Sequence, residues 1–340
     1  MTVQDAIKTV VAGKNLSIDQ TKEAFSQIMS GNATDSQIAA LIVALRMKGE
    51  TPEEITGAAS VMREKATHIM PSESDRLIDT CGTGGDGSNS FNISTATAFV
   101  AAGAGATVAK HGNRCVSSKS GSADVLEALG VNIAISPEAV TSCLDTIGIA
   151  FLFAPALHKA MKYAIGPRKE IGVRTIFNVL GPLTNPAQAK RQLLGVFSES
   201  LTETMAMVLK NMGTQRAFVV YGLEGLDEIS ITGPTRIAEL SNGKITSYTI
   251  SPDQFGISLT PRSAIAGGTP AENAAIIRDV LKGQKGPHRD VVLLNAGFAI
   301  TAAGLCKDPS EGISLAKKSI ASGAALQKLE KLIEITSAAK

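Results

Sequence analysis

The stretch Arg76-Leu-Ile-Asp-Thr-Cys-Gly-Thr-Gly-Gly-Asp-Gly87, followed by Asn92-Ile-Ser-Thr95, decides the fold. Apolar residues over Arg76–Thr80 predict a short strand, and the Ala-rich run that opens at Asn92 predicts a helix. The glycines connect the two, as in α/β proteins that bind ligands at a strand-to-helix turn. The stretch therefore predicts an α/β domain with a candidate ligand site at its glycine-rich turn.

Strands and helices continue to alternate after this turn. Predicted strands lie at Thr107–Lys110, Ile147–Phe153 and Arg216–Tyr221. Predicted helices lie at Ser122–Leu129, Leu201–Asn211, Asp290–Ala303 and Glu311–Ile335. This order predicts a large α/β domain over residues 71–340, with a mostly parallel central sheet flanked by helices on both faces.

The residues before this domain predict helices only. Helix-capping patterns recur there, formed by Ser17 with Gln20, by Thr34 with Gln37, and by Thr51 with Pro52 and Glu54. No cluster of catalytic residue types accompanies them. Residues 1–70 therefore predict a small all-helical N-terminal domain that serves packing or dimer contacts.

Length, charge and composition exclude several classes of protein. A chain of 340 residues is too long for one typical domain, which agrees with two. The net charge of +2 argues against a dedicated DNA-binding or polybasic membrane-surface protein. With ten Phe, three Tyr and no Trp, stacking platforms for single-stranded nucleic acid are not expected. We therefore expect a small-molecule partner rather than a nucleic acid.

The sequence also bears on location. Met1–Lys8 carries Asp5 and lacks the apolar run of a signal peptide, and Thr95–Ala109 is too short to span a bilayer. The cysteines, none of them in a C-x-x-C pair, indicate reduced thiols. They are Cys81, Cys115, Cys143 and Cys306. We therefore expect a cytoplasmic protein without a membrane partner.

The glycine-rich turn has three functional interpretations. Gly82, Gly84 and Gly87 match the dinucleotide-binding pattern, but no acid follows between Gly87 and Ala123 to hold a ribose. A P-loop would need Lys and Ser/Thr where Ser88-Asn89 stand. The third interpretation is a turn whose backbone N–H groups receive a phosphate or diphosphate. A tight turn that needs positive φ is the purely structural alternative.

An acid-free segment follows the glycines. Its charged side chains over the 37 residues from Gly87 to Ala123 are Lys110, Arg114 and Lys119, with His111 beside them, and many of its other residues carry hydroxyl or amide groups. A basic, donor-rich segment in a nearly neutral chain predicts a polyanionic small ligand. A solvated basic loop is the alternative.

Asp227-Glu228 is the best candidate for a metal-binding pair. It follows the apolar strand that ends at Tyr221, within the Gly-rich run Gly222–Leu226. Magnesium takes oxygen ligands, often one or two carboxylates plus phosphates, and adjacent acids in a loop can reach one site. An exposed acidic turn remains the alternative.

Several motifs occur together in a fixed order. They are Gly82-Thr-Gly-Gly-Asp86, Asn92-Ile-Ser-Thr95, Lys110-His-Gly-Asn-Arg114, Ser117-Ser-Lys-Ser-Gly-Ser-Ala-Asp124, Arg174-Thr-Ile-Phe-Asn178, Leu180-Gly-Pro-Leu-Thr-Asn-Pro186, Gly225-Leu-Asp-Glu228 and Leu294-Asn-Ala-Gly297. Over essentially the whole chain, this set resembles the anthranilate phosphoribosyltransferase family. The resemblance implies a homodimer that forms through the helical domain. It also implies that part of residues 165–190 belongs to that domain. It also implies transfer of a phosphoribosyl group from 5-phosphoribosyl 1-diphosphate (PRPP) to the amine of anthranilate, with Mg²⁺, in tryptophan biosynthesis.

The resemblance also implies roles for individual residues. PRPP would be held by Gly82, Gly85, Asp86, Ser90, Asn92, Ser94, Thr95, Lys110, Ser118 and Ser122. Mg²⁺ would be held by Ser94, Asp227 and Glu228. Anthranilate would be received by Gly82, His111, Asn113 and Arg168, with Ala154, Pro155, His158 and Met161 along its access path. No general base is assigned, and His111 is the candidate among the motif residues.

The sequence departs from the family pattern at a few positions. Cys115 and Lys159 replace residues that are commonly Ser and Pro, while Ser90 and Tyr221 replace Thr and His.

Two other functions remain open. A pyrimidine nucleoside phosphorylase would share the architecture but use phosphate and a nucleoside, and a non-catalytic relative would bind nucleic acid through the basic segment.

Overall fold

The first part of the chain is helical, as its capping patterns predict. The computed structural model describes residues 1–114 and 119–339. Its first four helices are α1 (Val3–Val11), α2 (Ile18–Met29), α3 (Asp35–Lys48) and α4 (Pro52–Glu64). Each begins with a capping box in which a Ser or Thr oxygen accepts a backbone N–H three residues on. The cap of α1, Thr2 with Asp5, is an addition to those predicted.

One sheet forms the centre of the α/β part. Within the described residues its seven strands are β1 (Leu77–Gly82), β2 (Thr107–Gly112), β3 (Ile149–Phe153), β4 (Arg191–Gly195), β5 (Arg216–Gly222), β6 (Thr235–Ser241) and β7 (Lys244–Ile250). Their order is β3-β2-β1-β4-β5-β6-β7. The pairs from β3 to β5 are parallel, and β6 and β7 add an antiparallel edge. This confirms the predicted α/β fold with a mostly parallel sheet.

Helices cover both faces of this sheet. They are α5 (Ile93–Gly103), α6 (Ser122–Leu129), α7 (Pro137–Ile147), α8 (Ala154–Leu157), α9 (Lys162–Ile171), α10 (Phe177–Leu180), α11 (Leu201–Asn211), α12 (Pro270–Leu281), α13 (Pro287–Ala302), α14 (Pro309–Ala321) and α15 (Ala324–Ala338). The helical run predicted over Glu311–Ile335 is confirmed but interrupted, because Gly323 at φ +75° divides it into α14 and α15. In the described part of the chain, no helix is both long and apolar enough to cross a membrane.

Two apolar cores lie on opposite faces of the sheet. Successive strand residues alternate between them, so Leu193 enters the core under α5 and α12–α15 while Leu194 enters the other. The second core joins α1–α4 and α11 to the sheet without a break, and α9 packs on α2 and α3. The helical part therefore shares a core with one face of the sheet.

The chain reverses direction across the sheet at β1. From β1 it moves outward through β2 to β3, and it then returns to the opposite side of β1 as β4 and continues to β5. In such sheets a crevice opens beyond the carboxyl ends of the two strands at the switch point. The ends of β1 and β4, Gly82 and Gly195, are direct partners in the sheet. The glycine-rich turn therefore begins at the place where an α/β sheet binds ligands.

Candidate active site

Glycine is required in the turn after β1 for conformation and for space. Gly84, Gly85 and Gly87 have φ between +68° and +74°, where side chains are strained. A Cβ on Gly82 would lie 2.5 Å from Asp227 Oδ2. The structural alternative thus accounts for these glycines, so the case for a ligand must come from the side chains around the turn.

Asp227 lies against the glycine-rich turn, and Glu228 faces Ser94 at the start of α5. The backbone N–H of Gly84 donates to Asp227 Oδ2 (2.9 Å), and the backbone N–H of Asp227 donates to Asp86 Oδ2 (3.3 Å). The carbonyl of Asp227 packs so close to Gly195 that a Cβ there would lie 1.5 Å from it. The Glu228 side chain is buried. The alternative of an exposed acidic turn is therefore wrong.

Burial and mutual repulsion act on these acids. Burial, followed by the charge of Asp86, raises the pKa of Asp227 to about 7. Burial, followed by the charge of Asp227, raises the pKa of Glu228, and Lys110 opposes that shift. Asp227 and Glu228 thus share one lysine, and the charge of Asp86 adds to their repulsion. Such a set of oxygen donors fits a divalent cation, which removes the repulsion.

The arrangement is not a complete protein-built metal cage. In residues 1–114 and 119–339, no group of three or more His, Cys, Asp and Glu side chains is arranged to hold a metal. Mg²⁺ is usually held by one or two carboxylates together with substrate phosphates and water. The acid pair therefore fits a magnesium ion that is shared with a phosphorylated substrate.

Lys110 is the buried cation of the site. Its Nζ donates to the carbonyl of Thr80 and to Ser94 Oγ, the latter at 3.2 Å. Burial lowers the pKa of Lys110, and the negative charges of Asp79, Glu228 and Asp227 raise it. The lysine thus lies between the first turn of α5 and the acids.

The start of α5 is also fixed by side chains. Asn92 precedes the helix and donates through Nδ2 to the carbonyl of Ser120 (3.1 Å), while its Oδ1 accepts from Asn273 Nδ2 (2.9 Å). Thr95 Oγ1 is buried without a hydrogen-bond partner among the described residues. A helix N-terminus carries a partial positive charge and free N–H groups, which favour an anion.

The other predicted PRPP contacts have partners within the chain. Ser90 Oγ accepts from Ser88 Oγ (3.1 Å), and Ser122 Oγ donates to the carbonyl of Asn113 (3.2 Å). The carbonyl of Gly85 accepts from Arg174, whose guanidinium lies 4.4 Å from the centroid of the Phe197 ring. Ser118 and Cys115 lie outside the described residues.

The basic character predicted for the acid-free segment needs correction. Arg114 pairs with Asp124 (3.1 Å) and with Glu127, whose Oε1 accepts from Nη2 at 2.8 Å. Both acids belong to α6, just beyond the segment, and the charge of Lys110 faces acids as well. Counting charges along the sequence missed neighbours that the fold supplies. The donors of the segment and the exposed Lys119 remain, but the charges of Lys110 and Arg114 face acids.

His111 and His158 form a buried pair of imidazoles. Their ring centroids are 5.1 Å apart, and His111 Nδ1 lies 3.2 Å from the carbonyl of Gly181. A carbonyl only accepts, so Nδ1 carries the proton and Nε2 is the acceptor. The Nε2 atoms of both rings are buried without a partner among the described residues. Burial lowers the pKa of His111 to about 3 and that of His158 to about 4.

Arg168 is a half-buried cation on α9. Its guanidinium lies 5.1 Å from the centroid of the Phe177 ring, and burial lowers its pKa. Within the described ranges no carboxylate forms an ion pair with it. Buried charges in proteins are normally paired. An uncompensated guanidinium therefore indicates an anionic ligand, and its planar fork suits a carboxylate.

Sequence reasoning missed Asp79 and Asn185. Asp79 is buried in β1, accepts the backbone N–H of His111 at Oδ1 (3.1 Å) and accepts Asn185 Nδ2 at Oδ2 (2.8 Å). The same amide donates to the carbonyl of Ala109 (2.8 Å). The two side chains thus fix the end of β2 that carries Lys110 and His111. An acid inside an apolar strand was the signal in the sequence.

The histidine pair leads to a pH prediction. We expect His111 and His158 to stay neutral from pH 8 down to about 5, because burial disfavours their charged forms. The unfolded chain protonates both near pH ~6.5, so their contribution to stability is expected to fall as the pH drops below that value. Ring ¹⁵N shifts in NMR spectra would test this. Titration of either ring between pH 5.5 and 8 would contradict it.

The fold is that of a glycosyl transferase. Residues 4–66 match the family described as "Glycosyl transferase family, helical bundle domain", and residues 74–326 match "Glycosyl transferase family, a/b domain". An anthranilate phosphoribosyltransferase of Acetivibrio thermocellus is 55% identical over 334 residues, which cover 98% of this chain and 96% of that protein. The chain belongs to the anthranilate phosphoribosyltransferase family.

Solved structures agree with this membership. The crystal structure of anthranilate phosphoribosyltransferase from Thermus thermophilus has a TM-score of 0.93 at 43% identity, covering 98% of this chain and 99% of that one. The Saccharomyces cerevisiae enzyme in complex with PRPP and Mg has a TM-score of 0.89 at 29% identity. The match covers 99% of this chain and 98% of that one.

Proposed function

We propose that the protein transfers the phosphoribosyl group of PRPP to the amine of anthranilate, giving N-(5-phosphoribosyl)anthranilate and diphosphate in tryptophan biosynthesis. The observation that carries the proposal is the cluster of Lys110, Asp227 and Glu228 between the glycine-rich turn and the start of α5. The cluster lies at the switch point of the sheet. The chain is 55% identical to a relative named anthranilate phosphoribosyltransferase.

The donor is proposed to lie between the glycine-rich turn and the start of α5. Its phosphates would contact residues that offer N–H, hydroxyl, amide or ammonium groups. These are Gly82, Gly85, Asp86, Ser90, Asn92, Ser94, Thr95, Lys110, Ser118 and Ser122. Asp227, Glu228 and Ser94 Oγ would hold Mg²⁺, which supplies positive charge to the departing diphosphate when it is bound.

The chemistry needs charge stabilisation more than proton transfer. The bond between the anomeric carbon and the diphosphate oxygen breaks, and its electron pair leaves with diphosphate. The lone pair of the anthranilate nitrogen forms the new C–N bond, after which the nitrogen loses a proton to solvent water. Lys110 and the N-terminus of α5 stabilise the growing negative charge. An aryl amine is uncharged at neutral pH, so positioning dominates the rate.

The acceptor is proposed to bind between Arg168 and His111, beside Gly82 and Asn113. Arg168 would receive both carboxylate oxygens, and the free Nε2 of His111 would accept a hydrogen bond from the amine. A pKa of about 3 makes His111 a weak base. We therefore assign it an orienting role rather than that of a general base.

The proposal includes a homodimeric assembly and a cytoplasmic location. A homodimer would form through the helical domain of residues 1–70 with part of residues 165–190, while residues 71–340 form the catalytic domain. Large apolar side chains are exposed on these elements, among them Val11 (71%), Met47 (83%) and Ile165 (56%). A cytoplasmic location follows from the biosynthetic role.

A direct assay tests the function. With PRPP and Mg²⁺ present, anthranilate fluorescence is expected to fall with time and diphosphate to appear in equal amount. Omission of PRPP is the control. Phosphorolysis of thymidine or uridine without anthranilate turnover would favour the phosphorylase instead. Salt-sensitive DNA binding without any turnover would favour the nucleic-acid-binding alternative.

A further inference from the structure

The loop that carries the acid pair is held by a residue from a distant helix. Asn295 lies on α13 and is fully buried. Its Oδ1 accepts the backbone N–H of Ile229 (3.0 Å), and its Nδ2 donates to the carbonyl of the same residue (2.8 Å). The amide thus pairs with both polar groups of Ile229, as a neighbouring strand would.

The second hydrogen of the Asn295 amide nitrogen is also bonded. Asn295 Nδ2 donates a second hydrogen bond to the carbonyl of Val291, one turn earlier on α13 (2.9 Å). Both amide hydrogens and the amide oxygen of Asn295 are therefore used. A side chain with all its polar groups paired has one favoured orientation, and it transmits that orientation to the backbone it holds.

Ile229 directly follows Glu228, so its backbone sets where the two acids point. The loop has internal supports, since Glu224 accepts hydrogen bonds from Ser230 and Thr232. Those bonds keep the loop folded on itself. Gly84 and Asp86 join the loop to the glycine-rich turn, whereas Asn295 fixes the loop relative to a helix, α13.

We propose that Asn295 is a positioning residue for the Asp227-Glu228 metal pair, fixing its backbone relative to α13 so that Asp227 faces the glycine-rich turn and Glu228 faces the start of α5. The inference rests on the proposed function, because it takes the pair as the metal ligands. Asn295 does not touch the metal or the substrates. It acts through the Ile229 backbone on the geometry of the carboxylates.

The geometry favours this role over simple packing. An apolar residue of the same size fills the space but leaves the N–H and carbonyl of Ile229 buried and unpaired, so the loop must shift to find partners. Such a shift would move Ile229, which directly follows Glu228 of the metal pair. Residues that orient metal ligands typically change metal affinity by about 10- to 100-fold when they are replaced.

The test measures metal binding rather than activity. Asn295→Leu is nearly isosteric and removes the pairing, and Asn295→Ala leaves room for water. Mn²⁺ binding with inorganic diphosphate is followed by electron paramagnetic resonance in wild type and both variants. We expect Asn295→Leu to weaken Mn²⁺ binding at least ~10-fold, and Asn295→Ala to weaken it less. Anthranilate affinity, measured by fluorescence, is expected to change less than about twofold, because Arg168 and His111 are not held by this amide.

Thr336→Val is the matched control for lost stability. Thr336 is also buried, lies on α15, accepts the backbone N–H of Asn132 (3.2 Å) and donates to Leu332 (2.7 Å). Equal weakening of Mn²⁺ binding in this control would overturn the inference, as would wild-type binding in both Asn295 variants. If Asn295→Leu does not fold, Asn295→Ala decides alone. A wild-type protein that binds no Mn²⁺ would overturn the metal assignment and the inference with it.

Discussion

Replacement of Asp227 by Asn together with Glu228 by Gln is expected to lower kcat/KM for PRPP by roughly 10²- to 10³-fold. Glu228 is buried, Asp227 is partly buried, and the two repel each other, so the fold concentrates negative charge where a cation is needed. Neutral amides remove the charge that attracts Mg²⁺ but keep the size of the side chains. Initial rates measured over a magnesium titration would show the loss together with a flattened magnesium response.

The metal-free stability of this double variant separates lost function from lost folding. Carboxyls whose pKa is raised by folding stabilise the protein below their unfolded pKa near ~4, and that contribution disappears as the pH rises through the folded value, about 7 for Asp227. The wild type without metal should therefore lose stability between those values, and the variant should lose less. Denaturant unfolding at several pH values measures this.

A control variant removes the same charge elsewhere. Glu330 and Glu334 are exposed on α15, and Glu330→Gln with Glu334→Gln is expected to leave rate and magnesium response unchanged. An unchanged magnesium response in the Asp227/Glu228 variant itself would contradict the metal assignment.

Features encoded locally were predictable from the sequence. The caps at Ser17, Thr34 and Thr51 hold because each side chain bonds a backbone group three residues away. The turn after β1 was recognised because its glycines mark positive φ directly. The strands predicted at Thr107 and Arg216 were confirmed, with ends extended by one or two residues.

One missed element did have a local signal. The strands β6 and β7 are joined by Asn242-Gly243, both with positive φ (51° and 74°). Asn-Gly between two apolar-rich runs is the strongest short-range signal of a hairpin. The strand β4 has a weaker signal in the sequence, because it has only five residues. It is recognised in the structure by its pairing with β1 and β5.

The electrostatics of the site depend on contacts distant in sequence. Arg114 is neutralised by α6, Asp79 meets Asn185 across 106 positions, and Asn295 reaches Ile229 across 66. No periodicity or spacing in the chain specifies these pairs. They form only in the folded chain, where a helix or a loop meets a residue of another element. The residue types of the site were therefore predictable, but their charge balance and supports were not.

Replacement of Arg168 by Ala is expected to raise KM for anthranilate by roughly 10- to 10²-fold and to leave KM for PRPP within about twofold, since a hydrogen bond to a charged group contributes ~1.5–3 kcal/mol. Arg168 is half-buried without a carboxylate partner in the described residues, which matches a carboxylate ligand. Arg168→Lys is expected to recover part of the loss, because a lysine cannot bind both oxygens in one plane. Initial rates with each substrate varied in turn measure the split.

Aniline provides the decisive comparison for Arg168, because it has the amine of anthranilate but no carboxylate. If Arg168 binds the carboxylate, wild type should use aniline far less well than anthranilate, whereas Arg168→Ala should use both at similarly low efficiency. The neighbouring exposed Lys169→Ala is the control and should behave as wild type. A variant that loses aniline and anthranilate activity in the same proportion would contradict the assignment, because the loss would then not depend on the carboxylate.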